Sequence, residues 1–341
     1  MNILIIGYCH LADGFLYGAK ALEKLNYTIY FFPYLSYKMD KNDNLINDFK
    51  KNIKNNDINI CLWWNNSIEY NEFEQMYCST VQNIFYNWDP FLFEGEKYNT
   101  NNWIERLDKK RKIYNKMDLI FSCFEKEINY FQDSHNIYYN PPGFDHSISF
   151  YEYEKEYVCD ISIVLTNLYN DHQEFPKDAT NIDRYEIVNT LYEHRDKINF
   201  HIYGPEHFKE LYPDCYKRFI KYDECRKVFS NSKINLSIHP IINELSNKKS
   251  SMEYFSERVP QILGCKGLLM TNSQLSYILK KDIDYIQINK DNWLDEIKNI
   301  INNSNKYNYI RENGYIKASK NYTWNNWANI IHKKINKLLM I

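Results

Sequence analysis

The sequence predicts an α/β protein of two doubly wound domains, each a parallel sheet with helices on both faces. Three observations carry this. Short apolar runs alternate with stretches of helical spacing along the chain, the pattern of parallel sheets. The alternation stops at "NIYYNPPG" (136–143), where two prolines and a glycine break it, and then starts again. The chain has 341 residues, more than one ordinary core accommodates.

The elements follow in order. "NILIIG" (2–7) reads as a buried strand, and "GFLYGAKALEKLN" (14–26) places apolar residues at helical spacing. "YTIYFFP" (27–33) is a second strand, stopped by Pro33. The polar stretch from Lys38 to Asp57 is expected to be a solvated helix with loops. "INICLWW" (58–64), "QNIFYNW" (82–88) and "DLIFSCF" (118–124) read as further strands. Past the break, "CDISIVLTN" (159–167), "NFHIYGP" (199–205), "KINLSIHP" (233–240), "KGLLMTN" (266–272) and "DYIQI" (284–288) read as strands. "DRYEIVNTLYEHR" (183–195), "DECRKVFSNS" (223–232) and "SERVPQILGC" (256–265) read as helices, and "TWNNWANIIHKKINKLL" (323–339) closes the chain. The expected boundaries are 1–150 for a first domain, 151–320 for a second, and 321–341 for a C-terminal helix suited to packing back toward the first.

Composition narrows the class. Hydrophobic residues make up 44% and charged residues 25%, a globular profile. With 42 basic against 44 acidic residues, no net charge draws the whole chain to nucleic acid or an anionic membrane. The 8 cysteines are scattered, with no C-x-x-C pair and no histidine at zinc spacing, which suits packing thiols in a reduced cytoplasmic chain. "MNILIIGYCH" has no basic leader, and no apolar run approaches the ~20 residues that span a bilayer. The expectation is a soluble, cytoplasmic protein without a membrane span. "GYCHLADG" (7–14) lacks the middle glycine of G-x-G-x-x-G, which argues against a nicotinamide enzyme. "DID" (282–284) reads as an exposed turn, so no metal is expected.

In open α/β sheets the ligand lies outside the carboxyl ends of the strands. The residues that follow the strands are therefore the candidates, and "SMEYFSERVPQILGCKGLLMTN" (251–272) is the richest segment. Ser256 is the expected N-cap of its helix, with Pro260 in the first turn. The free N–H groups of a helix start suit a phosphate, and the Arg258 fork suits a diphosphate. Gln261, one turn on, is placed to meet a ribose. From local chemistry alone, a solvent-facing arginine on an ordinary helix fits as well.

"SERVPQILGCKGLLMTN" (256–272) resembles the motif S-x-R-x-x-E-x-L-G-x-G-G-x-x-L-T of GT-B glycosyltransferases, in the spore maturation protein B-like and glycosyltransferase family 1-like group. Three other segments resemble the same group in order: "PPGFDHSISF", "YVCDISIVLTNLYNDH" with "DRYEIVNTL", and "SKINLSIHP". The resemblance covers residues 140 to 325 and is fold-level before that. It implies two Rossmann-like domains with parallel sheets facing across a cleft. It also implies a nucleotide-diphosphate sugar as co-substrate, a UDP-sugar favoured, and no required cofactor.

Carried onto this chain, the resemblance puts Arg258 and its helix at the diphosphate and Gln261 at the position of a ribose-gripping glutamate. Thr166 and Asn167 fall near the phosphates, with Arg184 after them. Tyr203 and Gly204 fall near the base, and His239 faces the cleft. Gln261 and Lys266 depart from the pattern, standing where the group has Glu and Gly. An inverting transferase needs a base within hydrogen-bond reach of the acceptor hydroxyl. Asp89 in "NWDP", His10 and Asp13 are the catalytic candidates. Each also has a structural reading: a turn aspartate before proline, a polar residue at a helix entry, and a helix N-cap. The expected acceptor is a hydroxyl on a glycan or glycoconjugate. One alternative is a hydroxymethylated base in DNA, for which "RLDKKRK" (106–112) would supply phosphate contacts if it is not a solvated helix face. Another is a non-catalytic nucleotide-sugar-binding module. The aromatic run "CLWWNNSIEY" (61–70) reads either as a stacking surface or, more simply, as core.

Overall fold

The computed structural model describes residues 1–7, 14–40, 44–64, 68–87, 100–166, 168, 184–238, 255–275, 279–288 and 291–340. They pack as two compact units, Met1–Pro142 with Trp324–Ile341, and Gly143–Thr323.

The first unit is built on six parallel strands: β1 (Asn2–Gly7), β2 (Thr28–Phe32), β3 (Ile60–Trp64), β4 (Gln82–Asn87), β5 (Leu119–Ser122) and β6 (Ile137–Tyr139). Their order is β2-β1-β3-β4-β5-β6. Every residue of β3 is buried, as expected for a parallel strand covered on both faces. Alternation along the strands feeds two cores. Leu4, Ile6, Cys61, Trp63 and Phe85 enter one, while Ile3, Ile5, Leu62, Trp64 and Tyr86 enter the other. Trp63 and Trp64 are thus packing residues on opposite faces of one strand, the simpler of the two readings of that aromatic run. The helix Trp324–Leu339 completes the second core with Trp324, Trp327, Ile331 and Ile335, against the helix Gly14–Glu23.

The second unit repeats the plan with β7 (Cys159–Val164), β8 (Phe200–Tyr203), β9 (Tyr216–Arg218), β10 (Ser232–Ser237), β11 (Leu269–Thr271) and β12 (Ile286–Gln287). The order is β12-β11-β10-β7-β8-β9, again parallel throughout. One face is apolar, with Ile161, Ile163, Phe200, Ile202, Ile234 and Leu236 in a single core. The other face carries buried polar groups. Ser162 Oγ donates to Asn235 Oδ1 at 2.9 Å, and Asn235 Nδ2 donates to Phe229 O at 3.0 Å.

Four details depart from the sequence expectations. The stretch 38–57 is not wholly solvated, because the helix Leu45–Asn55 buries Leu45 and Phe49. The edge strands β6 and β9 are three residues each, too short to show a period. In "DID", Asp282 is exposed but Asp284 is 1% exposed, its Oδ2 accepting the Lys280 N–H at 2.8 Å. In "RLDKKRK", Lys110 is buried, its ammonium 4.3 Å from the Phe85 ring centroid, so that face of the helix is not solvated.

Candidate functional site

In the second sheet the strand order reverses between β7 and β10, so the crevice beyond their carboxyl ends is the topological switch point. Leu165 and Thr166 follow β7, and Ile238 follows β10. Thr166 is exposed there. Arg184, the first residue of the helix Arg184–Glu193, is buried, and its Nε donates to Ile238 O at 2.9 Å. It ties the start of that helix to the end of β10. Thr271 ties the next strand, its Oγ1 donating to Ser237 O at 2.7 Å and accepting the Ser273 N–H.

Gly204 follows β8 because nothing larger fits. A Cβ there would lie 2.4 Å from Leu165 O and 2.7 Å from the Phe208 ring. Tyr203, beside it, belongs to the core. Its ring stacks on Tyr157 at 6.3 Å between centroids, and its hydroxyl lies 3.4 Å from His201 Nδ1. A base at this strand end would meet the backbone of Tyr203, since the ring is 2% exposed. His201 is buried as well, and desolvation, helped by the Lys217 charge, lowers its pKa to about 4.

The helix at the motif spans Arg258–Gly264. It runs back from the carboxyl end of β10 toward the start of β11, so its first residues lie on the ligand side of the sheet. Its N-cap is Glu257, not Ser256, and no side chain caps it. Ser256 is buried and contributes its carbonyl, which accepts the Val259 N–H at 3.0 Å. Arg258 is half-buried at the first helical position. Gln261 is 3% exposed, and its Nε2 has no hydrogen-bond partner among the described residues. Leaving such a donor unmet costs about 1–3 kcal/mol. The Ser273 hydroxyl, just past β11, is likewise buried without a partner among the described residues. Sequence reasoning missed Ser273, which carries no motif signal.

Of the residues singled out from the sequence, Thr166, Arg184, Tyr203, Gly204, Ser256, Arg258 and Gln261 fall in this one unit: at strand ends, at the start of the helix Arg184–Glu193, or on and just before the motif helix. Asn167 and His239 lie outside the described residues, as do His10, Asp13 and Asp89. What the first unit does show is a polar knot just before Asp89. Asn87 ends β4 and is fully buried. Its Nδ2 donates to Glu127, as do Ser122 Oγ and, at 2.6 Å, the Tyr114 hydroxyl. Burial and the Glu127 charge push the Tyr114 hydroxyl well above its ordinary pKa. Glu127 was not legible in the sequence, where a glutamate in a first helical turn reads as solvated. Among the described residues no cluster of His, Cys, Asp and Glu is arranged to hold a metal, and no helix is long and apolar enough to cross a membrane.

Residues 184–333 match the family model described as glycosyl transferase-like. No curated protein sequence matches the chain. Among solved structures, sucrose-phosphate synthase from Thermosynechococcus elongatus superposes with a TM-score of 0.69 at 10% identity, covering 100% of this chain and 99% of that one. HepE from Anabaena, in complex with UDP-glucose, gives 0.66 at 8% identity, covering 99% and 100%. An alpha-glucosyltransferase in complex with UDP and a 13-mer DNA containing an HMU base gives 0.61 at 11% identity, covering 100% of both chains.

Proposed function

We propose that this chain, which has the GT-B fold, is a glycosyltransferase that takes a UDP-sugar on its second unit and moves the sugar to a hydroxyl of a glycan or glycoconjugate. The observation that carries the donor assignment is Gln261, an amide buried with no partner for its Nε2 among the described residues, one turn into the motif helix. A ribose hydroxyl supplies the missing acceptor. In this reading the Arg258 guanidinium, at the same end of the helix, meets the diphosphate and stabilises the charge that develops on the leaving group. Thr166 and Asn167 stand by the phosphates, and Gly204 and His239 border the donor. Arg184 acts by position, holding the β10 end through Ile238 O. Asp89, His10 and Asp13 remain the candidates for the base that takes the acceptor proton.

A hydroxymethylated base in DNA is the alternative acceptor, and the inward turn of Lys110 removes one of the cations that favoured it. The experiment is direct. The protein is incubated with UDP-, GDP-, ADP- and TDP-sugars, and nucleotide release is followed with and without glycan or modified DNA. UDP release that rises with a glycan supports the proposal. Binding of UDP-sugar without any release would make the chain a binding module, and no uridine nucleotide bound at millimolar concentration would overturn the donor assignment.

A further inference from the structure

The second unit has a further pocket at the opposite end of its sheet. It is an open depression of about 460 Å³, broad enough for a single sugar ring. Ser232 and Lys233, at the start of β10, form part of its wall. The donor end of the same strand, Ser237, is five residues away, or about 16 Å. This pocket therefore lies apart from the proposed donor site.

Its chemistry is specific. Arg311 lines it and, among the described residues, donates only to main-chain oxygens, those of Lys266, Ser232 and Lys233. No carboxylate pairs with it among the described residues. Burial lowers its pKa to about 10, the behaviour of a desolvated cation that lacks an anion. Lys233 and Lys266 also line the pocket, paired with Asp160 and Glu312. Three cations against two carboxylates leave one positive charge.

Two tyrosines also line it. Tyr151 and Tyr153 are 56% and 66% exposed. The intervening Glu152, and Glu154 after it, turn the other way to pair with Arg226 and Lys227. The extended segment thus directs alternate residues to opposite sides and gives both tyrosines to the pocket. Asn305 and Asn308 add two amides to the lining.

We propose that this pocket binds an anionic saccharide, a sugar ring bearing a phosphate or a carboxylate. The ring stacks on Tyr151 and Tyr153, its hydroxyls meet Asn305 and Asn308, and its anion completes the Arg311 fork. For an enzyme that builds on glycans, such a pocket tethers a charged stretch of the chain at a distance from the reaction.

Titration calorimetry on the full chain at low ionic strength tests this with glucose 1-phosphate, glucuronate, glucose and inorganic phosphate. The anionic sugars should bind about tenfold more tightly than either glucose or phosphate, and salt should weaken them. The stronger of the two identifies the source of the charge. Saturating UDP should not displace glucose 1-phosphate. The double variant Tyr151→Ser/Tyr153→Ser should lose about tenfold in sugar affinity and keep its UDP affinity. Arg311→Met should erase the preference for charge; if it fails to fold, the tyrosine variant decides alone. Glucose binding as tightly as the anionic sugars, displacement by UDP, or unchanged affinity in the tyrosine variant would each overturn the proposal.

Discussion

Gln261 sets two quantities against each other. Its buried Nε2 is a donor with no partner among the described residues. Gln261→Glu would place a carboxylate in the same dry position, at a cost to the unliganded fold. With donor bound, the carboxylate accepts from ribose hydroxyls, and charge-assisted bonds are worth about 1.5–3 kcal/mol against about 1 for neutral ones. The expected result is a lower melting temperature without ligand and a UDP affinity roughly tenfold higher. Calorimetry giving one dissociation constant for both forms would mean that Gln261 is a bystander. His201 makes a second residue-scale prediction. Its pKa is depressed to about 4 from the ordinary 6.5, because burial and Lys217 disfavour the imidazolium more than Asp160 favours it. Between pH 6.5 and 4 the unfolded chain takes up a proton that the folded chain refuses. Stability therefore falls as pH drops through that window, by up to about 3 kcal/mol. His201→Phe should flatten the melting temperature over that range, and an equally steep profile in the variant would clear His201 of the effect.

At the scale of the element, the turn after the motif helix is the most instructive. Lys266 N–H donates to Leu263 O and Gly267 N–H to Ile262 O, the paired bonds of a Schellman ending. The left-handed position is Lys266, at φ 57°, where the resembled motif has glycine. That conformation costs a non-glycine residue about 1–2 kcal/mol. Its ion pair with Glu312 is largely exposed and returns about 0.2–1 kcal/mol. Lys266→Gly should therefore be neutral to stabilising by up to about 1 kcal/mol in urea titration, the glycine's extra unfolded-state freedom trimming the gain. Two residues earlier the sign reverses. A Cβ on Gly264 would lie 2.5 Å from the Phe144 ring, so Gly264→Ala should cost about 1–3 kcal/mol by overpacking. Equal stability in that variant would mean that Phe144 yields easily. The central strands were legible because strands covered on both faces are unbroken apolar runs, as in "NILIIG" and "INICLWW". The motif helix was legible within two residues at its start, but the cap fell on Glu257 because no side-chain bond fixes that end. The "YKR" strand was not legible, since three residues at a sheet edge carry no period. The unmet Nε2 of Gln261 was beyond reach altogether, because a sequence shows a residue's position but not the absence of its partner.

At the scale of the whole molecule, two measurements bear on the two units separately. UDP at a hundred times its dissociation constant should stabilise the second unit by about 2.7 kcal/mol, visible as a raised melting temperature. In the first unit, Trp327 is 1% exposed and packs 4.9 Å from Trp64 and 5.3 Å from Tyr86. Trp327→Ala should cost about 3–5 kcal/mol, and a loss under 1 kcal/mol would show that the last helix is dispensable to that core. The return of residues 324–341 to the first unit also has a consequence for synthesis. Between Pro142 and Trp324 the ribosome must make the 181 residues of Gly143–Thr323. At about 5–20 residues per second that takes roughly 10–35 s. Throughout that interval the nascent chain presents Phe15, Trp64 and Tyr86 without the helix that covers them. The half translated first is thus the half completed last, and until then its aromatic face is a ready hold for chaperones.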